Sequence, residues 1–176
     1  MKKNQLMMSF LACLLTAIGF VACSDDPERP ELPVKTAVNY TLTISPDMAR
    51  FYDFKLDYLL ADGTQKEEVV RRDQETATKE EKESVLRWQY KEEIEGVRYN
   101  RFKMKIVAYV KDKYVLEDGI KSYNLNVGFI GNCTNYTPTY TYAPNKYIEH
   151  KMERDAVEAF LKANPKVDVL DWENPR

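Results

Sequence analysis

The chain predicts a mainly β fold: an antiparallel β-sandwich, immunoglobulin-like or of a similar kind, with one C-terminal amphipathic helix. Three observations carry that expectation. Apolar and polar residues alternate with period two in most runs between residues 36 and 129. Hairpin-length links with turn residues separate the runs, as in sandwiches and barrels. A single stretch near the end changes to helical spacing.

The elements follow in chain order. Val38, Tyr40, Leu42 and Ile44 alternate with Asn39, Thr41 and Thr43, a first strand. Ser45-Pro46-Asp47 is turn chemistry. Phe54, Leu56, Tyr58 and Leu60 alternate with Asp53, Lys55 and Asp57, a second strand. Asp62-Gly63 predicts a two-residue type I′ turn back into Thr64–Arg71. Arg72–Glu83 is nearly all polar and reads as a solvated loop with room for a short helical turn. Val85–Lys91 places Leu86, Trp88 and Tyr90 on one face, so Trp88 belongs to the core. Arg101–Lys111 is the clearest long strand, with Phe102, Met104, Ile106, Ala108 and Val110 on its apolar side. Glu117-Asp118-Gly119 marks a turn, after which Tyr123, Leu125, Val127 and Phe129 alternate with Asn124, Asn126 and Gly128. That makes about six or seven strands.

The C-terminal part differs. Asn132–Tyr147 is rich in Tyr, Thr, Asn and Pro and reads as a loop. Met152, Ala156, Val157, Phe160 and Leu161 recur at helical spacing, which predicts a helix over about residues 149–163 with His150 near its start. Asn164-Pro165 ends it. Val167–Trp172 adds an edge strand.

The N-terminus gives an address. Lys2 and Lys3 precede an apolar run, Leu6–Val21, shorter than the roughly 20 residues that span hydrocarbon. A basic start, a short apolar stretch and small residues before a cleavage point make a secretory signal. With Cys23 directly after Ala22, residues 1–22 resemble a bacterial lipoprotein signal peptide. The resemblance implies that Cys23 is acylated and becomes the mature N-terminus, its covalent lipid (palmitate among the chains) anchoring the protein in a membrane. Two chains or more are needed for stable anchoring. Ser24-Asp25-Asp26 resembles the export signal of surface lipoproteins in the Bacteroides group, which implies an outer-membrane protein facing outside. Residues 23–35 form an acidic, Pro-rich tether. Pro27, Pro30 and Pro33 favour an extended spacer of roughly 30 Å at about 3 Å per residue. Residues 36–176 remain as a single domain.

Composition narrows the chemistry. The chain of 176 residues carries 26 basic and 28 acidic groups. Without Lys2 and Lys3 the balance is 24 against 28, a mature charge of −4, with no basic footprint for nucleic acid. Cys13 leaves with the signal and Cys23 is the lipid site, so Cys133 stays as a free thiol, expected to be buried. His150 is the one histidine, too few for a zinc site. Cys133 with His150 is the one conceivable nucleophile–base pair, and no third orienting group stands out. Asp53 and Asp57 flank Lys55 on an ordinary solvated face. Asp168, Asp171 and Glu173 lack the spacing and glycine of a calcium loop. Asn39, Asn132 and Asn135 each start an Asn-X-Thr triplet, read here as chance. The expectation is no catalytic residue, no metal and no cofactor beyond the covalent lipid.

Aromatic residues are the feature with functional colour. Tyr136, Tyr140, Tyr142, Tyr147 and Trp172 form the candidate binding surface, because aromatic faces with polar tips suit half-wet recognition. The strings Tyr40-Thr41-Leu42-Thr43-Ile44-Ser45, Phe51-Tyr52-Asp53-Phe54-Lys55-Leu56-Asp57-Tyr58, Ala61-Asp62-Gly63, Trp88 and Phe102-Lys103-Met104-Lys105-Ile106 are similar to small β-sandwich lipoproteins of Bacteroides-type bacteria. That resemblance covers residues 36–111 and implies location and fold class alone. The functional expectation is a non-enzymatic lipoprotein that binds a glycan or an envelope protein. A structural accessory subunit of an outer-membrane assembly is the alternative, and a hydrolase using carboxylates ranks third.

Overall fold

The structure, a computed structural model, describes residues 34–96, 101–136 and 139–174. The expected signal peptide of residues 1–22, the expected lipid site Cys23, the expected export residues Ser24, Asp25 and Asp26, and the expected tether up to residue 33 lie outside them.

Nine strands and three helices make up the described residues: β1 (Lys35–Ile44), α1 (Pro46–Phe51), β2 (Tyr52–Leu59), β3 (Gln65–Val70), α2 (Lys79–Glu83), β4 (Leu86–Glu95), β5 (Lys103–Val110), β6 (Ser122–Tyr136), β7 (Thr139–Tyr142), β8 (Asn145–Glu153), α3 (Arg154–Ala163) and β9 (Lys166–Glu173). They form two antiparallel sheets packed face to face. One runs β4-β1-β6, with β8 and β7 dividing the far side of β6 between them. The other runs β3-β2-β5-β9. The pairs β1–β4 and β3–β2–β5 match the B–E and C′–C–F neighbours of an immunoglobulin sandwich. Here β6 takes the free side of β1 and β9 the free side of β5.

The alternation seen in the sequence is the alternation of burial. Tyr40, Leu42 and Ile44 of β1, Phe54, Leu56 and Tyr58 of β2, Met104 and Ile106 of β5, and Leu125, Val127 and Phe129 of β6 fill the space between the sheets. Aromatic rings bridge them: Tyr58 stands edge-on to Tyr40 at 6.0 Å and to Trp88 at 5.2 Å. Each such pair adds about 0.5–1.5 kcal/mol beyond its burial. Trp88 is half-buried against this core, and its indole N–H donates to Glu68 Oε2 at 2.7 Å.

Four expectations are corrected. Ser45-Pro46-Asp47 does not make a plain turn; it starts α1, where Ser45 Oγ accepts the Met48 N–H at 3.2 Å and Pro46 sits in the first turn. The hairpin at Asp62-Gly63 is longer than two residues. The Leu60 N–H donates to Thr64 and the Gly63 N–H to Leu60, so three residues lie in the loop. Only Gly63 has positive φ, +85°, the pattern of a type I turn with a bulge. The segment 132–147, read as a loop, is mostly strand: β6 runs on to Tyr136 and β7 folds back on it.

Finally, the helix starts at Arg154 and not near 149, and His150 lies in β8 opposite Leu125. Ile148 and Met152, the half-buried residues of β8, are four apart. That spacing fits a helix face and a strand face equally. The unpaired edge of β6 decides between them, because pairing along Ser122–Ile130 satisfies backbone groups that would otherwise lack partners. The rest of the helix is as expected. Val157 and Leu161 are buried, and Asn164 caps the end through its N–H on Phe160 O at 2.9 Å.

Candidate binding face

The outward face of the first sheet carries a groove of about 640 Å³, within the range of small-ligand sites. Register builds it. Directly opposed residues of antiparallel strands share a face. Thr43 lies opposite Arg87 of β4 and Gly128 of β6, and Gly128 lies opposite Tyr147 of β8. One step along, Thr41 lies between Gln89 and Ile130, and Ile130 opposite Asn145. Since Gly128 has no side chain, the sheet is low there. A Cβ at that position would sit 3.5 Å from Tyr147 Cδ2, so the tyrosine ring flanks the depression at van der Waals distance.

Ser45 closes one end of the groove and is tied to β6 there. Its hydroxyl donates to Asn124 O at 2.8 Å and accepts the Asn126 N–H at 2.9 Å, while its own N–H donates to Asn126 O at 2.9 Å. The same oxygen caps α1, so helix and groove share an anchor. Asn126 also lines the groove, and its side-chain oxygen is buried without a hydrogen-bond partner among the described residues. The lining is mostly apolar and nearly uncharged: Thr41, Thr43, Asn126 and Asn145 supply hydroxyls and amides, and Lys146 is its one charged side chain. Tyr147, Ile130 and Val85 supply apolar surface at 63%, 68% and 52% exposure.

Of the five aromatic residues expected to form one surface, only Tyr147 lines this groove. Tyr136 is also exposed, but it lies at the other end of β6, with the Lys35 ammonium 5.5 Å from its ring centre. Tyr140 and Tyr142 pair with Asn135 and Cys133, whose side chains are buried, so they stand on the inner side of the sheet. Tyr142 is half-buried against Phe102 at 5.9 Å and Tyr140 is exposed at the rim. Trp172 lies opposite the buried Met104 on β5, half-buried in the second sheet. The sequence reading missed Thr41, Thr43, Asn126, Gly128 and Asn145. They were visible as the polar half of the alternation, with Gly128 as its one gap.

The other candidates occupy structural roles. Cys133 is buried, 3.5 Å from the Tyr40 hydroxyl, and burial pushes its thiol up to about 12. His150 is exposed, its ring 5.0 Å from Phe160. Their positions on the β6 ladder, residues 133 and 125, are about 27 Å apart at about 3.4 Å per residue, so the two form no nucleophile–base pair. Each carboxylate weighed from the sequence has a cation: Asp53 has Lys111, Asp57 has Lys103 at 2.7 Å, Asp168 has Lys166, Asp171 has Lys105 at 3.0 Å and Glu173 has Arg101. Among the described residues no three His, Cys, Asp or Glu side chains gather in a way that would hold a metal ion. Comparison with protein-family models, with curated proteins and with solved structures returned no match to this chain.

Proposed function

We propose that this chain is a non-enzymatic outer-membrane lipoprotein, anchored through an acylated Cys23 and facing outside, whose sheet groove binds a glycan. The observation that carries the reading is the groove itself. A tyrosine ring stands exposed beside a glycine-floored depression, with the hydroxyls and amides of Thr41, Thr43, Asn126 and Asn145 set among the apolar surface of Ile130 and Val85. Sugar rings have apolar faces that stack on aromatics and hydroxyls that take hydrogen bonds from Asn and Thr. The near absence of charge in the lining favours a neutral glycan. The buried Asn126 oxygen would accept a sugar hydroxyl, relieving a polar group that otherwise stays desolvated. The lipoprotein-like N-terminus supports the anchor, and the acidic residues after Cys23 support the outward address.

Three experiments test this reading. Electrophoresis of the full-length chain, in uncharged detergent, through gels containing neutral polysaccharides is expected to show retardation by at least one; migration unchanged by all of them would contradict the glycan reading. Protease treatment of intact cells is expected to remove the protein, and Cys23→Ala is expected to release it from the membrane fraction. Protection until lysis would contradict the outward address.

A further inference from the structure

We propose that a second cleft, between α1, the β3–α2 connection and the β5–β6 connection, binds a compact oxyanion, with Arg50 inside and Arg71 and Lys113 at the rim. The oxyanion is a sulfate, phosphate or carboxylate group. The cleft has a volume of about 630 Å³ and shares no lining residue with the sheet groove. The inference uses nothing of the glycan reading.

Its charge is opposite to that of the molecule. Six cations and four carboxylates line it, on a chain of net charge −2. Two of the carboxylates are committed, Glu117 to Arg50 and Asp53 to Lys111 at 3.2 Å. Asp73 accepts the Glu75 N–H at 2.9 Å within its own loop and feels the Arg71 charge, and the Glu75 side chain is exposed. Arg72 is buried and spends its guanidinium on the chain: Nη1 donates to Lys82 O at 3.1 Å, and Nη2 to Ser84 O at 2.8 Å. These bonds hold the wall in place without neutralising it. Among the described residues, Arg71, Arg72, Lys82 and Lys113 have no carboxylate within 4 Å.

The inner end is short of a partner too. Arg50 is only 7% exposed, and its Nε is buried with no hydrogen-bond acceptor. Burial disfavours the charged form of Arg72, the nearby Glu81 carboxylate favours it, and the neighbouring Arg50 charge disfavours it. Two buried guanidiniums share the cleft with a single ion-paired carboxylate, Glu117 on Arg50, and planar guanidinium groups match oxyanions in geometry. An oxyanion would relieve the repulsion, accept from the buried Nε, and gain charge-assisted bonds from Arg71 and Lys113.

The test is calorimetric titration of the full-length chain, in uncharged detergent, with sodium sulfate and separately with sodium galacturonate, at ionic strength held constant with sodium chloride. Three proteins are compared: wild type, the double variant Arg71→Gln with Lys113→Gln, and Lys151→Gln, an exposed lysine of β8 outside the cleft. Saturable binding of at least one anion is expected, weakened at least tenfold in the double variant and unchanged in Lys151→Gln. Sulfate alone binding would mark the site as one for tetrahedral anions. Galacturonate alone would mark it as one for a sugar-borne carboxylate. Heats that fail to saturate, or that are equal in all three proteins, would overturn the proposal. Arg71 and Lys113 are exposed, so the double variant is expected to fold with an unchanged melting midpoint. Should that midpoint fall, the melting of wild type decides: a saturable rise with one anion at constant ionic strength supports the site, and no such rise overturns it.

Discussion

Gly131 shows how little room single positions have. A Cβ there would meet Pro144 Cγ at 2.8 Å and Phe129 Cε1 at 3.2 Å, where the Gly131 N–H donates to Pro144 O at 2.7 Å. Gly131→Ala is therefore expected to cost about 1–3 kcal/mol in urea unfolding, the usual range for overpacking; an unchanged midpoint would mean that the Pro144 turn yields freely. Cys133 makes a prediction in pH. Its thiol is raised from an ordinary 9.0 to about 12 by burial, so the unfolded chain loses that proton first. The thiol's contribution is complete below pH 9 and is lost as pH rises toward about 12, at up to about 1.4 kcal/mol per pH unit. Tyr40 is shifted in the same direction by burial, so the informative quantity is the difference between wild type and Cys133→Ala. The wild type is expected to fall more steeply above pH 9. Parallel curves would count against a buried, protonated thiol.

At the scale of elements, Ser45 joins three pieces: it caps α1, takes the Asn126 N–H and donates to Asn124. Ser45→Ala is expected to cost about 2 kcal/mol, more than the ~1 kcal/mol typical of a lost cap, because it also leaves the β6 groups unpaired. Chemical denaturation measures this, and a loss under about 0.5 kcal/mol would show that water replaces all three contacts. This junction was not legible in the sequence. Ser-Pro-Asp is as good a turn as it is a helix start, and the difference lies in Met48, Ala49 and Phe51, which are buried at the end of the sandwich. The strands were legible wherever alternation had one apolar side, as in Phe102–Val110 or Tyr123–Phe129. Legibility failed where the side chains are small or polar on both faces. Beyond Phe129, β6 continues through Gly131, Asn132 and Thr134 because β1 and β7 pair with it, a cause that no local pattern records.

For the whole molecule, the two faces of the first sheet explain why one aromatic surface was expected and two regions emerged. The tyrosines of 136–147 were read as one loop. In the fold they alternate across a sheet, so Tyr147 faces out beside Gly128 while Tyr142 faces in toward Phe102. The groove was legible only as composition, in the Thr and Asn residues opposite each apolar position. Its assembly depends on register among three strands, β1, β6 and β8. The basic cleft was less legible still, since Arg50, Arg71 and Lys113 come from three separate connections. The measurement that tests the central claim most directly is the affinity of the full-length chain for a retained neutral oligosaccharide, compared between wild type, Tyr147→Ala and Tyr140→Ala. A ring stacked on a sugar carries at least the ~1.4 kcal/mol that corresponds to tenfold in affinity. Tyr147→Ala is expected to bind at least tenfold more weakly with its melting midpoint unchanged, and Tyr140→Ala to bind as wild type does. Undiminished binding by Tyr147→Ala would contradict the groove as the binding site.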